Sequence, residues 1–313
     1  MTGEPDRLDV VVVGAAVRDV DPSDRTQSRW RLGGGVTYGA LTLAQLGLAT
    51  GAVIGVDSEA ARAPELDLQR IAGVWIALAP LAQGAVFVNV ETTAGRMQSS
   101  LAVSDPVPVD ALPEAWRSCG AWLFAPVAGE LPEAWAAVPP ESAFVALGWQ
   151  GLLRDLVPGQ RVGRRPPSES DLLRRADLVG VGSDDLLSGV ELASLDVLLR
   201  PGASVVLTRS HAGGLLLRSE EGRLRAVRRY PAAPASPLDP TGAGDAFLAA
   251  LVAARLGAGS RPAPVADRPF PNPEDLRFAA TVASLAVEGR GLDGIPDASA
   301  VRRRLREQVT RPG

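Results

Sequence analysis

The stretch that decides the fold is Leu238-Asp-Pro-Thr-Gly-Ala-Gly-Asp-Ala-Phe247. It is a glycine-rich turn that leads directly into an Ala/Leu-rich segment, Phe247 to Leu256, which has strong helix propensity. The turn therefore stands at the N-terminus of a predicted helix, where unpaired N–H groups and the positive end of the helix dipole favour an anion. Gly242 and Gly244 allow a ligand to approach the backbone closely.

Asp245 places a carboxylate beside this predicted anion site. A carboxylate in that position suits the removal of a proton from a hydroxyl that attacks a phosphate. The alternative is structural, because Asp is a common helix N-cap and Gly a common turn residue. The full ten-residue run is more specific than a lone G-x-G-D, and it favours the catalytic interpretation.

Short apolar runs alternate with helical segments along most of the chain. Leu8 to Val13 is a Val-rich run that ends in Gly14 and predicts a strand buried on both faces. Further strands are predicted at Trp122 to Ala125, Leu178 to Val181 and Ser204 to Thr208. The alternation predicts an α/β fold with a doubly wound, mainly parallel sheet, whose ligands bind at the carboxyl ends of the strands.

Composition excludes several classes of function. The chain has 313 residues, one histidine, one cysteine and no lysine, so all 32 basic residues are arginines. A P-loop or protein-kinase mechanism, which needs a phosphate-binding lysine, is therefore excluded. A Cys/His zinc site and an ordinary Ser-His-Asp hydrolase are disfavoured. Val13-Gly-Ala-Ala-Val-Arg18 lacks G-x-G-x-x-G, which disfavours a Rossmann dehydrogenase.

Charge and hydropathy give the expected location and partners. The net charge is −4, so we expect no nucleic-acid partner and no membrane-surface binding. No secretory signal opens the sequence, and no apolar run reaches the roughly 18 residues of a membrane span. Cys119 has no cysteine to pair with inside the chain, lies in an apolar stretch and is predicted to be a core residue. These features predict a cytoplasmic protein.

The motifs, taken in order, resemble those of the ribokinase/PfkB family of sugar and nucleoside kinases. The resemblance covers nearly the whole chain and is most specific at the signature from Asp239 to Phe247. Its other motifs are Val11-Val-Val-Gly14 followed by Asp19, Arg31-Leu-Gly-Gly-Gly35, Thr208-Arg-Ser-His-Ala-Gly-Gly214 and Gly291-Leu-Asp-Gly-Ile-Pro296.

The resemblance implies a fold and a domain organisation. Residues 1–313 would form a single ribokinase-like kinase domain, with helices on both faces of the large sheet and a small β-sheet lid over the substrate. The lid strands would come from about residues 15–32 and 85–105. The run Arg161 to Pro167 is predicted to be a loop, with a phosphate contact as the less favoured alternative to a solvated basic cluster. Monomer and homodimer both stay open.

The resemblance also assigns the catalytic groups. Asp245 would be the base that activates the acceptor hydroxyl, and the amides of Gly242, Ala243 and Gly244 would form the anion hole. The predicted acceptor-binding residues are those of the first helix, the lid hairpin and the segment Gly148-Trp-Gln-Gly151, namely Asp19, Gly34, Gly35, Tyr38, Asn89, Arg96 and Gln150.

ATP is the implied donor, with Mg²⁺ and a monovalent cation such as K⁺ as the implied ions. The predicted nucleotide-binding residues are Thr208, Ser210, His211, Gly213, Gly242 and Gly244. Two departures from the family pattern stand out, since Gly182-Ser-Asp-Asp185 replaces Asn-x-x-Glu and Ser210 replaces a glycine. Asp185 is the predicted Mg²⁺-organising carboxylate, and Asp239 lies near the implied cation site.

The acceptor is the least constrained part of the prediction. The leading hypothesis is a kinase acting on a hydroxyl of a small sugar or a cyclitol, because Gly148 to Gly151 and Pro126 to Glu130 resemble a subgroup that includes inositol kinases. A nucleoside kinase is the second hypothesis, with Phe87 or Trp149 as a stacking surface. The third is a degenerate member that binds a ligand without turnover.

Overall fold

The computed structural model describes residues 7–24, 26–92, 95–258 and 270–310. Within these ranges the α-helices are α1 (Gly35–Gln45), α2 (Pro64–Ile71), α3 (Asp171–Arg175), α4 (Ala243–Arg255), α5 (Pro273–Ala286) and α6 (Ala298–Thr310). The strands are β1 (Val10–Ala15), β2 (Val17–Val20), β3 (Trp30–Gly33), β4 (Thr50–Val56), β5 (Trp75–Pro80), β6 (Ala85–Thr92), β7 (Gly95–Ala102), β8 (Ala121–Phe124), β9 (Phe144–Gly148), β10 (Arg154–Asp155), β11 (Gln160–Arg161), β12 (Gly163–Arg164), β13 (Leu178–Gly182), β14 (Ser204–Thr208), β15 (Gly214–Glu220) and β16 (Arg223–Tyr230).

A nine-stranded sheet forms the centre of the fold, in the order β16-β15-β14-β13-β9-β8-β1-β4-β5. The seven strands from β14 to β5 pair in parallel, and β15 and β16 add an antiparallel hairpin at one edge. The predicted α/β fold with a mainly parallel sheet is thus confirmed. The direction of winding reverses between β1 and β8, which is where ligands bind on such sheets.

The central strands are buried on both faces because the sheet separates two apolar cores. Along β1, Val10 and Val12 point into the core that includes α1, α4 and α5. Val11 and Val13 point into the other core, which the shorter helical turns cover. This arrangement explains why β1 is continuously apolar rather than alternating in sequence.

The second core is covered mainly by 3₁₀ turns. Two of these turns are Glu114–Trp116 and Leu192–Leu198. Segments this short form too few hydrogen bonds to offset the free-energy cost of nucleating an α-helix. Tertiary packing therefore stabilises them as tighter 3₁₀ turns. Cys119 is buried beside them, as predicted.

A smaller five-stranded sheet, in the order β11-β7-β6-β2-β3, lies beside the large one. It draws on both segments predicted to supply lid strands, and it has its own apolar core that includes Val17, Phe87 and Val127. No helix among the described residues has both the length and the apolar character needed to cross a membrane.

The segment predicted as a loop at Arg161 to Pro167 begins in strands. β11 extends the smaller sheet by pairing with β7, while β12 pairs with β10. The N–H groups of Gly159 and Val162 donate to the carbonyls of Ser100 and Gln98, and these bonds use the open edge of β7. Strands of two residues carry no alternating hydrophobic pattern, so the sequence offers no signal for them.

Candidate active site

The signature turn forms the start of α4, as predicted. Gly242 caps the helix in the left-handed region, with φ of 77°, and no side chain caps its amides. Among the described residues, the N–H groups of Gly242 and Gly244 have no hydrogen-bond acceptor, whereas the Ala243 N–H donates to the Pro240 carbonyl at 3.3 Å. Two amides of the predicted anion hole are therefore available to a ligand, and the third is engaged.

Gly242 is required by its surroundings as well as by its backbone angle. A Cβ atom there would overlap the ring of Tyr38, which is buried on α1. At Gly244, by contrast, a Cβ atom would meet nothing within 4 Å. The contact fixes the signature turn against the first helix, so that the N-termini of α1 and α4 meet.

Replacing Gly242 by Ala is expected to lower the free energy of unfolding by more than the roughly 1–2 kcal/mol that a left-handed residue costs, because the Tyr38 ring must also move. Gly244→Ala is the matched control, and its stability should equal or exceed that of the parent protein. Thermal or urea unfolding of both variants checks this. Equal stabilities for the two variants would contradict the packing described here.

Asp245 lies in the first turn of α4 and lines a cavity with a volume of about 700 Å³. A Cβ atom on Gly35 would lie 3.0 Å from Asp245 Oδ1, so the absence of a side chain at the start of α1 leaves room for the carboxyl group. Burial raises the pKa of Asp245 to about 6, Arg154 opposes that shift and Asp185 adds to it. The carboxyl group is therefore ionised at neutral pH, and its raised pKa makes it a stronger base than an ordinary aspartate.

Arg154 is the functional candidate that the sequence analysis missed. It stands on β10, lines the cavity, donates from Nη1 to the Val127 carbonyl at 3.0 Å and lies over the Phe87 ring, 5.6 Å from its centroid. Burial lowers its pKa, but nearby carboxylates oppose the shift, and arginine stays protonated. The only signal in the sequence was indirect: a chain without lysine must bind phosphate with arginine or a metal.

A buried carboxylate supports the loop that holds Arg154. Glu130 accepts hydrogen bonds from the N–H groups of Ala15, Val127 and Ala128 at distances from 2.7 to 3.2 Å. Burial raises its pKa, and these backbone donors counter the shift. Glu130 therefore ties the end of β1 to the turn whose Val127 carbonyl receives the guanidinium.

The predicted acceptor residues do not all face the cavity. Asn89 donates to Asp19 Oδ1 at 2.8 Å and accepts from Gln98 Nε2 at 2.8 Å, so it orients Asp19 rather than lining the cavity. The side chain of Arg96 lies outside the described residues. The predicted residues that do line the cavity are Asp19, Gly34, Gly35, Tyr38 and Gln150.

Gln150 and Asp185 meet where β9 and β13 end. Gln150 Nε2 donates to Asp185 Oδ1 at 3.2 Å, and Asp184 also lines the cavity. No cluster of three or more His, Cys, Asp or Glu among the described residues could hold a metal ion. A pair of carboxylates nonetheless fits Mg²⁺, because that ion keeps water and substrate phosphates as most of its ligands.

The predicted nucleotide loop follows β14. Thr208 lines the cavity, but Ser210, His211 and Gly213 do not. His211 is exposed, and Ser210 adopts φ of 48°, so the serine keeps the left-handed conformation that glycine would adopt with less strain. The structure thus brings only the first residue of this loop into the cavity.

Asp239 joins the signature to the loop before α6. Its Oδ1 accepts the Thr241 N–H at 3.0 Å, and its Oδ2 accepts the Gly291 N–H at 3.1 Å. Both carboxylate oxygens thus accept hydrogen bonds from backbone N–H groups, and Asp239 does not line the cavity. These bonds give Asp239 a structural role in connecting the two segments.

The comparisons with known proteins agree with this architecture. The family model described as pfkB family carbohydrate kinase matches residues 182–298, which include Asp185 and the signature. The search of curated proteins found no match. The family match confirms the predicted resemblance and indicates a kinase, without identifying its acceptor.

Three solved structures share the fold. A pyrophosphate-dependent kinase in the ribokinase family, complexed with a pyrophosphate analog and myo-inositol, is 19% identical with a TM-score of 0.71, covering 94% of this chain and 99% of that chain. An Arabidopsis thaliana ribokinase, complexed with ribose and ATP, is 20% identical with a TM-score of 0.66. A Methanocaldococcus jannaschii nucleoside kinase is 14% identical with a TM-score of 0.64, and both of these cover 96% of this chain and 99% of their own.

Proposed function

We propose that this protein is a phosphotransferase that moves a phosphoryl group from ATP to a hydroxyl of a small sugar or a cyclitol. One observation carries the proposal: the partly buried Asp245 carboxylate adjoins the available amides of Gly242 and Gly244, and Arg154 carries positive charge into the same cavity. A base, an anion hole and a cation lining one cavity are the groups that phosphoryl transfer to an alcohol requires.

In the proposed reaction Asp245 accepts the proton of the acceptor hydroxyl as the oxygen attacks the terminal phosphorus of the donor. The bond from that phosphorus to the bridging oxygen breaks, and ADP leaves. The N–H groups of Gly242 and Gly244, with the Arg154 guanidinium, stabilise the negative charge on the transferring group. Asp184 and Asp185 would hold Mg²⁺, which neutralises donor phosphate charge when bound.

The acceptor end of the cavity favours a molecule rich in hydroxyls. Asp19 is held by Asn89, which Gln98 orients in turn, and such a chain of hydrogen bonds presents a fixed carboxylate to a hydroxyl donor. A nucleoside ranks second because neither candidate aromatic side chain offers an open face. Phe87 is 1% exposed and lies under Arg154, and Trp149 is 1% exposed.

The test is release of ADP from Mg-ATP against a panel of sugars, cyclitols and nucleosides. Pyrophosphate should be included as a second donor, because one structural neighbour is described as pyrophosphate-dependent. Turnover with one class of acceptor supports the proposal. Binding of ATP without turnover of any acceptor would instead favour a degenerate member that binds a ligand. Turnover in KCl and in a choline salt tests the predicted K⁺ requirement.

The pH dependence follows from the pKa of Asp245, which burial raises to about 6. Below that value the carboxyl group is protonated and accepts no proton, so we expect kcat/KM to fall about tenfold per pH unit below pH 6. Above it the base is ionised and the acidic limb levels off. A pH–rate profile at saturating Mg-ATP measures the limb, and an unchanged rate down to about pH 5 would argue against Asp245 as the base.

A further inference from the structure

Two arginines stand directly opposite each other in the short hairpin that follows β9. Strands β10 and β12 are antiparallel, with Arg154 paired to Arg164 and Asp155 paired to Gly163. Directly opposed residues of an antiparallel pair project from the same face, and both arginines line the cavity. The hairpin therefore presents two cationic side chains to the same space.

The two opposed arginine side chains destabilise the hairpin unless an anion compensates their charge. Like charges directly opposite one another destabilise a strand pair. Arg154 has the Val127 carbonyl and the charges of Asp185 and Asp245 to offset its own. The side chain of Arg164 is exposed, lines the same cavity and forms no hydrogen bond and no ion pair with any residue that the structure describes. Neighbouring guanidinium groups in a concave site are suited to bind a phosphate through several charge-assisted hydrogen bonds.

The pair belongs to a different wall of the cavity from the anion hole. The amides of Gly242 and Gly244 come from α4, whereas Arg154 lies over Phe87 of the smaller sheet, and β11, just before β12, is paired with β7 of that sheet. Arg161 of β11 lines the cavity as well. A group held by the amides thus leaves a second, positively charged position between the two sheets.

We propose that Arg154 and Arg164 form a second anion site, which binds a phosphate group other than the one being transferred. Arg154 has five N–H donors, so it contacts both the transferring group and this second phosphate, whereas Arg164 serves the second phosphate alone. The distinction between a transferred phosphate and a second phosphate rests on the proposed function. The binding of an anion by the two arginines does not. The group has two conceivable sources: the leaving phosphate of the donor, or a phosphate already carried by the acceptor.

Binding of inorganic phosphate tests the site without any turnover. Calorimetric titration of the full chain should give two phosphates per protein for the parent and one for Arg164→Gln, or a loss of affinity of about tenfold to hundredfold at the second site. Arg223→Gln, at an exposed position on β16, is the matched control and should titrate like the parent. Equal stoichiometry and affinity in the parent and Arg164→Gln would overturn the proposal, provided that thermal unfolding shows both to be folded.

Steady-state kinetics separate the two sources. If the donor supplies the phosphate, Arg164→Gln raises the donor KM about tenfold or more and leaves the acceptor KM unchanged. If the acceptor supplies it, the variant raises the KM of a phosphorylated polyol and leaves the KM of the same neutral polyol unchanged. Unchanged KM values for all substrates would count against the site. If the protein turns over no acceptor, only the proposed function is refuted. The phosphate titration still tests the second anion site, because it requires no turnover.

Discussion

Asp245→Asn is expected to reduce kcat by about 10²–10⁴-fold, the usual contribution of a positioned general base. Asparagine keeps the size and most of the packing of the side chain but accepts no proton from the attacking hydroxyl. Donor affinity should change little, because the Gly242 and Gly244 amides are retained. ADP release under saturating substrate, with ATP binding measured by calorimetry, gives both quantities for the same preparation.

Asp110→Asn is the matched control for that substitution. Asp110 is exposed on a 3₁₀ turn and does not line the cavity, so the same chemical change there should leave turnover intact. The residual activity of Asp245→Asn should also lose the acidic limb near pH 6. Full activity in Asp245→Asn, or a residual rate that still falls below pH 6, would remove Asp245 from the role of base.

Arg154→Gln is expected to lower kcat by about 10²–10³-fold, the range found when one donor to a developing oxyanion is removed. The substitution also deletes the cation that holds down the pKa of Asp245, so the acidic limb of the pH–rate profile should move above pH 6. A merely structural arginine would not produce that shift. The pH profiles of parent and variant, measured side by side, provide the readout.

Arg154→Lys distinguishes charge from geometry. Lysine supplies a positive charge without the planar guanidinium group. It should therefore restore part of kcat and return the midpoint of the acidic limb of the pH–rate profile toward that of the parent protein. Arg223→Gln again controls for the loss of one positive charge from the protein. Parental kcat in a folded Arg154→Gln variant would show that Arg154 does not act on the transferring group.

The fold was predictable from sequence because its strongest signals are local. The Val-rich β1 is buried on both faces, and the glycine signature forms the N-terminus of α4, both as expected. In each case neighbouring residues determine the backbone, so pattern and structure agree.

The candidate site was only partly predictable because its contacts link distant segments. Asn89 and Gln150 were expected to bind the acceptor, yet Asn89 holds Asp19, and Gln150 holds Asp185. A sequence shows which polar side chains exist, but not which of them are consumed in orienting others. Arg154 was overlooked for a similar reason, since two-residue strands give no periodicity.

In the proposed reaction, the hairpin containing Arg154 also affects how well the donor is protected from water. Arg154 is in contact with the smaller sheet through Phe87 and with the segment that follows β8 of the large sheet through the Val127 carbonyl. In the proposed reaction, a movement that carried the smaller sheet and this hairpin away from the cavity would also take the guanidinium away from Asp245. Water would enter most freely in such an open arrangement, in which the charge stabilisation would be incomplete. We therefore expect little hydrolysis of the donor, because the site would be complete only when it encloses an alcohol.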